Sequence, residues 1–189
     1  MSHDPALEAH EHAEHAEHAA HERDPFVSRV SITVAILAVM AAAAGSLETV
    51  EGGRAITESS EAVLAQDKAT DSWNEYQADS LKRHMYEIAS VAGSAKVEEY
   101  AKEIAKDRSG QDKAREKAED AEKERDTHTR ASALHERRHH WLTGSATLVE
   151  IGIALSTVAI ITARRTFWFA AMGLGAAGAA LFAVAYLAG

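Results

Sequence analysis

Four groups of residues in this 189-residue chain have the types and spacing that chemistry requires. His135-Glu136-Arg137-Arg138-His139 matches H-E-x-x-H letter for letter. On a helix this spacing puts two imidazoles on one face, where they can hold zinc while the glutamate activates water. Here the two intervening residues are arginines, which repel a dication, and only Glu150 follows as a third ligand. A basic helix end anchored at lipid headgroups beside Trp141 accounts for the same residues better. His10, His12, His15, His18 and His21 lie mostly in Glu-His-Ala units. Imidazoles three apart share a helix face and suit zinc, nickel or copper, and they titrate near neutrality. The plainer reading is a solvated acidic leader that binds divalent metal adventitiously. The run Gly173-Leu174-Gly175-Ala176-Ala177-Gly178 matches G-x-G-x-x-G. No strand precedes it and it sits in an apolar stretch, so it is not a nucleotide loop. Glu150 is the sharpest single residue, nine positions past Trp141, about 13 Å along a helix. An ionisable group at that depth of a bilayer costs several kcal/mol unless protonated, paired or hydrated. It reads either as a carboxyl that hydrogen-bonds a neighbouring helix or as a proton- or cation-handling group in an oligomer.

The elements that carry these residues follow from how charge is distributed. Composition is 46% hydrophobic and 26% charged, with a mean hydropathy of −0.25, averages typical of a soluble domain. The charge is segregated. Residues 1–25 carry net −6 and residues 48–140 net −5, while the remainder holds only Arg29, Glu150, Arg164 and Arg165. Three stretches, 30–47, 141–163 and 167–187, are long and apolar enough to span a bilayer. Phe26, Trp141, Phe167, Trp168, Phe169 and Tyr186 sit near their ends, as interfacial aromatics do. Ala42-Ala43-Ala44 has the small residues of a signal-peptidase site, but a long acidic leader is the wrong context for one. The net charge of −9 argues against a nucleic-acid partner, and the absence of cysteine excludes disulfides and thiolate chemistry.

Residues 48–140 are rich in strong helix formers and have their clearest break at Gly93-Ser94, where Ser94 can cap the helix that follows. This predicts an all-α membrane protein: three transmembrane helices with a long, antiparallel, coiled-coil-like helical hairpin between the first and second. The divisions are a disordered acidic leader (1–25), span one (26–47), the extramembrane hairpin (48–140), span two (141–163), and the Arg164-Arg165 turn with span three (164–189). Gly52-Gly53 is expected to loosen the junction with span one, and Gly110 to kink the returning arm. Ile56, Val63, Leu64, Trp73, Tyr76, Leu81, Met85 and Ile88 form the apolar stripe of the outgoing arm, and the returning arm answers mainly with Ala114, Ala118 and Ala121. Such a hairpin buries little area at ~25 cal/mol per Å², so several copies are expected to pack together. Small residues four apart predict close packing of the spans, within or between copies: Ala38, Ala42 and Ser46; Gly152 and Ser156; Ala171, Gly175 and Ala179. The short Arg164-Arg165 turn favours a cytoplasmic N-terminus and a periplasmic hairpin.

The chain resembles the bacterial membrane proteins grouped as domain of unknown function 4337. The resemblance covers nearly the whole chain. It rests on the His/Glu-rich leader, on Lys68-Ala69-Thr70-Asp71-Ser72-Trp73-Asn74-Glu75-Tyr76-Gln77-Ala78, on Thr147-Leu148-Val149-Glu150-Ile151-Gly152-Ile153-Ala154-Leu155-Ser156, and on the Arg164-Arg165 turn followed by Trp168. It implies three spans in this order and transfers no catalytic residue, though it draws attention to Asp71, Trp73, Tyr76 and Gln77. The expected function is a homo-oligomeric structural or scaffolding assembly in a bacterial inner membrane, with the lipid bilayer as partner, no resident cofactor and no enzymatic activity. An oligomeric channel or ion-coupled protein using Glu150 is the first alternative. A metal- or pH-responsive sensor using the leader histidines is the second.

Overall fold

The computed structural model describes residues 25–92 and 96–187. The leader histidines His10, His12, His15, His18 and His21, and the Gly93-Ser94 break, lie outside the described residues. The described chain is three helices and no strand: α1 (Pro25–Val91), α2 (Val97–Thr162) and α3 (Arg165–Leu187). All three are long and apolar enough to cross a membrane. Pro25 opens α1, where its missing N–H costs nothing and its fixed φ suits a helix. Glu98 and Glu99 occupy the first turn of α2, where carboxylates complement the helix dipole. Gly52 and Gly53 do not interrupt α1, and Gly110 lies within α2. The link from α2 to α3 is tight, and Ala163 adopts the left-handed conformation at φ 51°. That backbone state ends many helices and costs a non-glycine residue about 1–2 kcal/mol.

Contacts divide the chain into an apolar unit, Met1–Thr49 with Arg138–Gly189, and a polar unit, Val50–Arg137. In the apolar unit the contact on α1 recurs every seven residues at Val30, Leu37 and Ala44, all buried. From α2 come Leu142, Ala146 and Val149, and from α3 Ala171, Gly175 and Gly178. Close approach is the organising feature. A methyl at Gly178 would lie 2.6 Å from Val149 Cγ2 and 3.0 Å from the Ser145 carbonyl oxygen. The Ser145 hydroxyl donates to the Gly178 carbonyl at 2.8 Å. Leu37 fills the space that glycine leaves at Gly175. At the far end of α3 from Tyr186, Trp168 Nε1 donates to Thr33 Oγ1 at 3.0 Å and meets Phe26 edge to face.

In the polar unit the same spacing continues with different residues. Along α1 the less exposed positions are Glu51, Ala55, Glu58, Ala62, Ala65 and Ala69; along α2 they include Asp107, Gln111, Ala114, Ala118 and Ala121. Steps of three and four residues average 3.5, the period of a heptad. The predicted apolar stripe is not the contact. Ile56, Val63, Leu64, Leu81, Met85 and Ile88 are exposed, and only Trp73 and Tyr76 of that set are half-buried. Alanine explains the difference: its methyl lets two backbones come close, which leaves no room between them for larger side chains.

Replacing Gly178 by Ala should destabilise the apolar unit by about 1–3 kcal/mol, because a backbone carbonyl cannot yield to the new methyl. Gly173, where an added methyl would meet nothing within 4 Å, is the control. There the Gly173→Ala change should be neutral or stabilise by up to ~1 kcal/mol. Denaturant unfolding of both variants in detergent micelles checks the pair, and equal effects would contradict the packing.

Candidate functional site

In the polar unit two acid–histidine pairs set seven residues apart join α1 to α2. Glu51 and Glu58 on α1 meet His135 and His128 on α2, each pair with Nδ1 to carboxylate oxygen at 2.6 Å. A carboxylate only accepts, so in each pair Nδ1–H donates. Glu51 is enclosed, its side chain 3% exposed against 16% for His135, and Arg54 lies 3.6 Å from its other oxygen. Between the pairs the Ser132 hydroxyl donates to the Ala55 carbonyl at 2.9 Å. Val50, Gly53, Arg54, Thr57, Glu58 and His135 line an open groove of about 420 Å³ beside them.

This arrangement uses the first histidine of the H-E-x-x-H run for a contact between helices. In the apolar unit the second, His139, directs Nδ1 to the Glu48 carbonyl oxygen at 3.1 Å, and the Thr143 hydroxyl lies 2.7 Å from Glu48 Oε1. Among the described residues no three His, Asp or Glu side chains converge as a metal site requires. Both histidines of the run therefore tie α2 to α1.

Further along the polar unit the contacts stay polar. Trp73 Nε1 donates to Glu122 Oε1 at 2.9 Å, and its ring meets Tyr76 edge to face at 5.7 Å. This gives Trp73 and Tyr76 a physical role that spacing did not supply; Asp71 and Gln77 are exposed. Arg125 Nη1 donates to Gln66 at 2.8 Å. Deeper in the unit Gly110 packs on Asp79, whose carboxylate would collide with any added methyl. Lys82 hydrogen-bonds Asp79 at 3.0 Å, and that bond, helped by the charges of Asp79 and Asp107, holds its ammonium above the usual lysine value. Asp107 Oδ2, Gln111 Nε2 and Arg83 Nε are buried without a hydrogen-bond partner.

In the apolar unit Glu150 is exposed, and no described residue hydrogen-bonds or pairs with it. Thr147, Ala154, Thr157 and Val158, which share its side of α2, are exposed too. Of the residues expected to pack the spans, Gly152, Ser156, Ala171 and Gly175 are buried. Ala38, Ala42, Ser46 and Ala179 are not among the buried residues, and Ala179 borders an apolar groove of about 260 Å³ with Val39, Met40 and Phe182. Close approach within the chain runs instead through Val30, Leu37 and Ala44 on α1 and Gly178 on α3. The sequence reading missed Glu51, Glu58 and His128. Their signal was the shared seven-residue interval, which a search for apolar periodicity passes over.

A double-mutant cycle on Glu51 and His135 should show coupling of about 0.5–3 kcal/mol. His135→Ala alone should cost more than an exposed substitution, since it strips an enclosed carboxylate of its donor. Unfolding of the full chain, followed by helical circular dichroism for Glu51→Ala, His135→Ala and the double variant, measures this. Strictly additive effects would show that the pair contributes nothing as a pair.

Neither a curated protein nor a solved structure matches the chain. A family model, Domain of unknown function (DUF4337), matches residues 26–188, from the start of α1 past the end of α3. The chain, with its three long helices, its Trp73–Tyr76 contact and its exposed Glu150, belongs to that family.

Proposed function

We propose that the protein is a multi-pass membrane protein whose copies associate into a structural assembly rather than catalysing a reaction. In this reading the apolar unit lies in the bilayer of a bacterial inner membrane. The polar unit forms an antiparallel, coiled-coil-like hairpin outside it. The short Arg164-Arg165 link supports placing the residues before α1 in the cytoplasm and the hairpin in the periplasm.

One observation carries the association: Glu150 is exposed in the apolar stretch of α2, with no partner among the described residues. An ionisable side chain facing hydrocarbon costs several kcal/mol, so such residues almost always face a helix bundle or water. The neighbouring Thr147, Ala154 and Thr157 are small. They allow a second helix to approach, and the threonine hydroxyls can accept a hydrogen bond across the contact. A second reading, that copies surround an ion or proton path at Glu150, is favoured by the hydroxyls of Thr147 and Thr157 on the same exposed side.

Replacing Glu150 by Leu should disperse the assembly in lipid nanodiscs, and Glu150→Gln, which keeps a hydrogen-bonding group, should preserve it. Mass photometry or native mass spectrometry reads the subunit number. Unchanged subunit number in Glu150→Leu would remove the structural reading. Proton or cation flux into liposomes, lost in Glu150→Gln while assembly persists, would establish the second reading in its place.

A further inference from the structure

The polar unit turns its small residues inward and its large ones outward. Ile56, Val63, Leu64, Leu81, Met85 and Ile88 of α1 are between 49% and 72% exposed. They are not scattered. Leu81, Met85 and Ile88 follow steps of four and three, and Ile56 and Val63 are seven apart. With the contact to α2 at positions 62, 65 and 69, this spacing puts them on the opposite side of α1. Ser60, Asp67, Asn74, Leu81 and Ile88 form one column of seven-residue steps there.

We infer that this outer face of α1 is where the polar unit of a second copy docks, an inference that rests on the assembly proposed above. Three observations select a second copy. The six large side chains, about two-thirds exposed, offer on the order of 600 Å² per copy, which doubled reaches the ~1,200 Å² lower bound of stable specific interfaces. Charge separates the two helices. The outer side of α2 carries Lys113, Glu116, Asp120 and Lys123, while the three seven-residue columns of α1 that hold the six large side chains carry two acids, Asp67 and Asp71, and His84. Apposition of the α1 faces therefore desolvates less charge than apposition of an α1 face on an α2 face. Finally, copies inserted in one direction are related by rotation about the membrane normal. Identical columns then run parallel and in register. Asn74 meets Asn74 of the other copy, and a buried asparagine in such a seam favours two-stranded, in-register pairing.

The chain has no cysteine, so single introduced cysteines report contacts without background. Full-length Leu81→Cys, Ile88→Cys, Glu116→Cys and Ala154→Cys variants are reconstituted in liposomes and oxidised with copper phenanthroline. Position 116 lies on the charged side of α2, and position 154 beside Glu150. Disulfide-linked dimers are expected at 81 and 88 at least tenfold faster than at 116. Adding Leu81→Glu to an Ile56→Cys reporter should slow its cross-linking by at least tenfold. Because Leu81 is exposed, that change leaves the fold intact. Cross-linking at 154 but not at 81 or 88 would overturn the docking face while sparing the assembly, and would mean that something other than a second copy covers it. Absence of cross-linking at all positions would overturn both. Equal rates at 88 and 116 would mark random collision and overturn the docking face.

Discussion

Close approach of helices through small side chains is the constraint on which the rest depends. Where Ala62, Ala65 and Ala69 face α2, and where Gly175 and Gly178 face their neighbours, the backbones come near enough that larger residues must point elsewhere. The benefit is dense packing and short polar contacts, and each such contact removes little apolar area from water. The large aliphatic side chains that would normally supply that area are displaced to the outside. An outward apolar face on the polar unit is thus a direct result of the alanine seam within it.

The polar pairs belong to the same geometry. A heptad position filled by Glu51 or Glu58 is costly unless its partner sits opposite, and His135 and His128 do so at hydrogen-bond distance. In the enclosed Glu51–His135 pair desolvation offsets much of the attraction. Alanine contacts are nearly indifferent to a slip by one heptad, since one methyl resembles another. The glutamate–histidine rungs, the Trp73–Glu122 bond and the Asp79–Gly110 contact are not, and together they define one register. Asp107 and Gln111, each with a buried atom that lacks a hydrogen-bond partner, mark a layer where this polarity is least well compensated, while Arg83 beside them keeps an ion pair with Glu87 at 3.7 Å.

The helices and their apolar stretches were legible because length, hydropathy and the absence of proline beyond Pro25 act locally. The contact face was not. Periodicity methods assume that the largest apolar residues mark the interior, and here Leu81, Met85 and Ile88 mark the exterior. The glycines show the same limit: Gly52 and Gly53, expected to loosen the junction with span one, remain helical, because helical neighbours outweigh a cost of about 1 kcal/mol each. Glu150 stood out by type alone, but its exposure within the chain depends on which side of α2 the other helices occupy. H-E-x-x-H was legible as a motif, but the contacts of its histidines were not, since each is set by the residue opposite it on α1.

The seven-residue interval also limits how such a chain can change length. Val30, Leu37, Ala44, Glu51, Glu58 and Ala65 follow one another at that interval along a single uninterrupted helix. One residue inserted after Glu51 would rotate everything beyond it by about 100° and carry the alanines off the contact. Seven inserted residues restore the facing, but only if α2 gains seven at the matching level. Arm length is therefore quantised: it grows or shrinks by paired steps of about 10 Å, and intermediate lengths are forbidden by the same rungs that fix the register.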